Sequence, residues 1–214
     1  MQNMIIAVLL SLLASPALAH HPLAGMPMTT FSHGLLSGIG HPILGFDHLF
    51  FVTSVGIIAI FTRHRILAPL AYIVAMLGGC LVTLLWTTVP ATELMIALSL
   101  LALGSMLLSG HRFSLPTILF AFAGFGLFHG AAFGQSLAMQ EAASGIHVLA
   151  GYLLGLGITQ FAIALAAGLV CTTLWKASHA SAIQPRLAGA MVAGAGLYLT
   201  LEHLEGPLLQ TISG

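Results

Sequence analysis

At 214 residues, with 58% hydrophobic and only 5% charged side chains, the chain carries far less charge than the roughly 25% of an ordinary soluble domain and reads as a polytopic membrane protein. Five Lys plus Arg balance five Asp plus Glu, so no net field recruits nucleic acid or an acidic surface. No P-loop, nucleophile-elbow or zinc-protease motif occurs in the sequence, which removes nucleotide-driven, serine-hydrolase and zinc-protease chemistry from consideration.

Residues 1–19 have an apolar centre and end in Ala17-Leu18-Ala19, the small-x-small pattern that precedes a signal-peptidase cut. They are expected to be a signal peptide; an uncleaved first helix is the alternative, and both put His20 outside. Cleavage makes His20 the new N-terminus, where α-amine and imidazole can chelate together, with His21, Met26 and Met28 close behind. Residues 20–42 form an outer segment rich in proline and glycine, with a short helix expected near Phe31 to Ile39. His33 there reads as a solvated or capping side chain.

Hydropathy then gives six spans of roughly 17–25 residues, the length a bilayer core demands. They cover approximately 43–61, 66–89, 92–109, 115–134, 146–175 and 187–205. The expected fold is an all-α, six-helix transmembrane bundle over 43–205, with an outer tail at 206–214. Arg63 and Arg65, Arg112, and Lys176 and Arg186 all fall in alternate loops on one side. By the positive-inside rule that side is cytoplasmic, so the mature N-terminus is outside, as in a bacterial inner-membrane protein with a translocated start.

The single Asp of the chain, Asp47, lies in His41-Pro-Ile-Leu-Gly-Phe-Asp47-His48, at the mouth of the first span. A carboxylate at membrane depth costs at least roughly 2.5–3.5 kcal/mol on insertion scales, so it marks a function and a cationic partner. Imidazole nitrogen with carboxylate oxygen suits a divalent transition metal. In one unbroken helix His41 and His48 would stand about 10 Å apart along the axis, too far for one ion. Either the segment bends at Pro42, taken as the first helical position, and Gly45, or the two histidines are successive stations; the sequence leaves both open.

With this orientation His41, Asp47, His48, His129, His147, Glu202 and His203 all fall in the outer half, and eight of eleven histidines lie outside or in the outer leaflet. His64, His111 and His179 are cytoplasmic and solvated. An outward-facing, metal-collecting vestibule accounts for that asymmetry. Gly126, Gly130 and Gly134 recur every four residues beside His129, a pattern that allows close helix approach and would carry that imidazole toward a neighbour. Gly151 and Gly155 do the same with no adjacent ligand. His147 and His203, with His20 and His21, are secondary metal candidates, since side chains near helix ends can snorkel. Glu93 and Glu141 suit helix starts on dipole grounds or form a weak cation-attracting rim. Cys80 and Cys171 are isolated in apolar runs and read as small core residues.

The run HGLLSGxxHPxxGxDH at 33–48 and Phe128-His129-Gly130 with Ala132 and Gly134 resemble the two motifs of the HupE/UreJ family of membrane nickel/cobalt permeases. The resemblance extends over the mature chain. It implies secondary transport of Ni²⁺ or Co²⁺ inward, with the metal as cargo and no permanently bound cofactor. It also implies that His41, Asp47, His48 and His129 carry the transport. Ser136 stands where the family's second motif closes with Glu; losing that hard ligand shifts the site toward nitrogen donors and opens a copper-handling variant, with Met26 and Met28 as suitable company. A haem-binding electron-transfer protein, with His48, His129 or His203 as axial ligands, is the rival class and leaves Asp47 without a role. A metal sensor or scaffold that binds without conducting is the third.

Overall fold

The computed structural model describes residues 28–139 and 145–213, with side chains described up to 205. The signal segment, His20, His21, Met26 and Glu141 lie outside the described residues. Among the described residues seven helices follow one another: α1 (Phe31–Leu44), α2 (Phe46–Ile60), α3 (Leu67–Leu85), α4 (Thr92–Ser109), α5 (Leu115–Ala138), α6 (Ile146–Thr173) and α7 (Ile183–Ser213). Among the described residues there is no strand. α3 to α7 are each long and apolar enough to cross a bilayer, and α1 with α2 make a sixth span if the bent pair is taken as one.

That bent pair departs from the expected first span. The helix foreseen near residues 31–39 runs on to Leu44, through Pro42, which sits inside its last turn rather than at the start of a helix. The chain breaks at Gly45, in extended backbone, and α2 leaves at 81° to α1. At Gly45 an added Cβ would meet His48 Cδ2 at 2.9 Å and Asp47 Oδ1 at 3.2 Å, so a side chain there would displace both. At the other end of the chain, α7 continues through the expected tail to Ser213.

Glycine contacts set how the helices pair. Gly126, Gly130 and Gly134 of α5 lie against Tyr72, Met76 and Cys80 of α3 in ascending order, so these two helices run parallel at backbone contact. Gly34 and Gly38 of α1 meet Val148 and Tyr152 of α6, and Gly56 of α2 meets Ala164 further along the same helix. The two half-helices therefore descend α6 in the same direction, which makes them one broken span. Gly104 of α4 faces Ala193 of α7, and Gly196 faces Leu101, an antiparallel pair. Small residues allow such close approach where lipid gives helices no hydrophobic reason to associate. Running amid these three pairs is α2, buried from Phe51 through Ala59 except at Thr53, as a helix apolar on all sides should be.

Candidate metal centre

The break at Gly45 places the polar residues of 41–48 where two half-helices meet, the arrangement in which interrupted spans frame a substrate site. His41 belongs to the last turn of α1, Asp47 and His48 to the first turn of α2. The bend, made at Gly45 and not at Pro42, brings the His41 and His48 rings to 6.0 Å between centroids. Asp47 Oδ1 accepts the His48 backbone N–H at 2.8 Å, which suits a carboxylate in a first helical turn.

These residues open onto a vestibule of about 410 Å³, lined also by Glu93, Ala132, Ser136 and His203. Glu93 is in the first turn of α4 and Ser136 in the last turn of α5, so the vestibule opens at one end of the bundle. Glu93 thus joins the site from a position where the sequence offered a helix-capping role or a weak rim. Ser136 is on the vestibule wall.

His129 lies one layer deeper. It is wholly buried and does not line the vestibule. Its Nδ1 is 2.8 Å from His48 Nδ1, and its Nε2 is 2.9 Å from Ser99 Oγ on α4. Phe51 stacks on its ring at 4.1 Å, while Phe133 packs against His48 at 4.3 Å and edge-on to His41 at 5.0 Å. Tyr152 Oη donates to the Phe133 carbonyl at 3.3 Å and stands 3.3 Å from His41 Nδ1. Beyond His129, Tyr72 donates to Gln160 at the heart of the bundle, its ring 6.4 Å from that of His129.

The other candidates separate. His203 reaches the vestibule, exposed, with Nδ1 on the Leu199 carbonyl. His147 does not; its Nε2 lies 3.3 Å from the Thr29 carbonyl, while the Thr29 N–H donates to His33 Nδ1 at 3.3 Å. These two histidines tie the start of α1 to the start of α6. His64, His111 and His179 are exposed and Cys80 and Cys171 buried and unpaired by disulfide. Among the described residues no three His, Cys, Asp or Glu side chains converge tightly enough to hold one ion: His41, Asp47 and His48 line a wall and would have to close on a guest.

Ser99, Tyr152 and Phe133 were invisible as site residues in the sequence. Each is an ordinary helix residue there, and only the packing of α4, α5 and α6 on the break gives it a histidine to touch.

The fold and the site together define a multi-pass α-helical membrane protein with a polar vestibule at the break of one span. The family model described as HupE / UreJ protein matches residues 8–199, and the chain belongs to that family. It is 29% identical over 196 residues to Protein HupE of Rhizobium leguminosarum bv. viciae, an alignment that covers 91% of this chain and 96% of that protein. No solved structure matches the chain.

Proposed function

We propose that the protein is a secondary permease that carries a divalent transition-metal ion, Ni²⁺ or Co²⁺, across the bacterial inner membrane through the vestibule at the α1–α2 break, from outside to inside. Membership of the HupE/UreJ family supports a metal-transport role. The observation that carries the site assignment is the convergence of His41, Asp47 and His48 on one vestibule, with His129 directly behind His48. Carboxylate plus imidazole is a donor set for first-row divalent ions.

A hydrated ion is drawn to the mouth by Glu93 and Asp47 and exchanges water for His41, Asp47 and His48 as they close on it. It then passes His129, beyond which the Tyr72–Gln160 pair continues a polar line into the bundle. Open spacing of the donors suits a carrier, since binding must dehydrate the ion without trapping it. With no nucleotide motif in the chain, the membrane potential and the concentration gradient drive entry; a 2+ ion moving inward across 100 mV gains about 4.6 kcal/mol, twice the 2.3 per charge. The basic loops face the cytoplasm in this reading, and the vestibule faces outward.

The haem reading loses its ligand pair in this geometry. His48 and His129 are hydrogen-bonded to each other at 2.8 Å, leaving no room for an iron between them, and His203 is exposed on the vestibule wall with its Nδ1 on the Leu199 carbonyl. Accumulation of radiolabelled nickel and cobalt in cells expressing the protein tests the proposal: uptake above the empty-vector level is expected, and none for either ion contradicts it.

A further inference from the structure

We propose that Tyr72 and Gln160 form the inner closure of the metal path: a clasp between α3 and α6 that shuts the bundle one turn beneath His129 and must let go for the ion to pass. The inference deepens the permease reading and rests on it for the cargo, a divalent metal ion; the clasp itself follows from how the helices are paired.

Glycines divide the bundle into bodies. α1 and α2 lie on α6 with Gly34, Gly38 and Gly56 against its backbone, and α3 and α5 meet in the same way through Gly79 and Gly130. The seam between α3 and α6 is slacker. An added Cβ at Gly157 of α6 would stand 3.6 Å from Leu77 Cδ1 and 3.8 Å from Ile73 Cγ2, ordinary side-chain contact, and the same seam holds an apolar groove of about 490 Å³ beside Leu77, Leu153 and Gly157. Among the described residues three hydrogen bonds cross from one body to the other: His48 with His129, Tyr152 to the Phe133 carbonyl, and Tyr72 to Gln160. The first two stand beside the ion-binding side chains; only the third lies inward of them.

The depth of that bond follows from the α3–α5 pairing. Gly126 meets Tyr72 and Gly130 meets Met76, so Tyr72 stands one helical turn, about 5.4 Å, further from the vestibule than the level of His129. The Phe51 ring bridges the two levels, 4.1 Å from that of His129 and 5.1 Å from that of Tyr72. Phe51, Tyr72 and Gln160 are all wholly buried, so residues from α2, α3 and α6 seal the bundle at this layer. The seal holds a polar group in reserve. Gln160 Oε1 accepts from Tyr72, yet its Nε2 has no hydrogen-bond partner among the described residues; a buried donor left unpaired is rare and asks for a role. One bond thus fixes the amide. When the two bodies rock apart, as the halves of many transporters do about a site at mid-membrane, that bond opens and Gln160 can turn its carbonyl oxygen to the ion leaving His129. A neutral oxygen holds a first-row divalent ion more loosely than imidazole does, which suits a last contact before release.

The test measures Ni²⁺ entry into proteoliposomes, and hydrogen exchange in lipid nanodiscs, with the full-length protein. Tyr72→Phe keeps the ring and removes the clasp; it is expected to raise the initial rate of entry about threefold, with the apparent KM unchanged, since opening steps set many turnover rates. A residue of purely structural value would lower that rate when changed. Gln160→Leu keeps the volume but removes the carbonyl, and should bring entry to background while Ni²⁺ still binds the protein in nanodiscs. Where wild type transports, Tyr72→Phe entry at or below the wild-type rate overturns the inference, as does a Gln160→Leu protein that transports like wild type or loses Ni²⁺ binding as well. Exchange without metal reads the clasp apart from transport: backbone amides of 153–162 are expected to exchange about fivefold faster in Tyr72→Phe than in wild type, and those of α7 at the same rate. Equal exchange at 153–162 overturns the clasp whatever the flux. No entry in wild type together with the faster exchange would sink the permease reading and leave the clasp standing.

Discussion

The Nδ1 atoms of His48 and His129 meet at 2.8 Å, although 81 residues separate them in the chain. The contact joins α2, which starts at the break, to α5, which is held against α3 by glycines at backbone distance. One imidazole faces the vestibule and the other is sealed behind it, so the pair connects the open mouth to the closed interior. Replacing His129 by Ala removes the partner of His48 and opens a void beneath it. Nickel uptake is expected to fall to background, while His129→Gln, which can still hydrogen-bond to His48, keeps a measurable fraction; equal loss in both would mean that His129 serves by ligation alone.

Gly45 is the hinge of the site. Gly45→Ala should push His48 Cδ2 and Asp47 Oδ1 from their places, since the new Cβ would stand 2.9 and 3.2 Å from them. Uptake should drop at least tenfold with circular dichroism and thermal midpoint close to wild type, because the collision is with side chains rather than with a neighbouring helix. Loss of helical signal would show instead that the break holds the bundle together.

A different outcome is expected at Gly130, where an added Cβ would collide with the Met76 backbone carbonyl. Backbone cannot give way as a side chain can, and overpacking of this kind costs about 1–3 kcal/mol. Gly130→Ala should lower the thermal midpoint in detergent, measured by differential scanning fluorimetry. An unchanged midpoint would mean that α3 and α5 slide apart freely.

The two secondary histidines should behave unlike each other. His203 lines the vestibule and His147 does not, so His203→Ala is expected to raise the apparent KM for nickel several-fold, with His147→Ala leaving it unchanged. Tyr152→Phe removes the hydroxyl beside His41; one neutral hydrogen bond is worth about 0.5–1.5 kcal/mol, so metal affinity should weaken by about two- to tenfold. Initial rates of uptake over a range of nickel concentrations check all three.

Ser136→Glu would place a carboxylate on the vestibule wall. A lower KM for nickel is the expected result, since a hard anionic donor favours a divalent ion. An unchanged KM would show that this wall is not visited by the ion.

Much of this was legible before the fold was in hand. Five of the spans follow from hydropathy alone, because lipid admits few other solutions for runs such as 67–85. Asp47 declares itself as the one aspartate in an apolar segment, and His41 and His48 by their place beside it. The course of 31–60 was harder to read: proline at 42 suggested a helix start, whereas the break is made by Gly45, whose missing side chain leaves room for His48 and Asp47. Ser99 and Tyr152 carried no signal, since a serine or tyrosine in an apolar helix looks the same whether its hydroxyl binds its own backbone or also a distant imidazole.

Flux through the vestibule is tested most directly in proteoliposomes that hold a nickel-sensitive dye and carry an inside-negative potassium diffusion potential. Wild-type protein should quench the dye on addition of external nickel, faster as the potential is made more negative, and Asp47→Asn should not, though it inserts and melts like wild type. Equal quenching by Asp47→Asn, or no quenching by either protein, would contradict a metal path past Asp47 and His48.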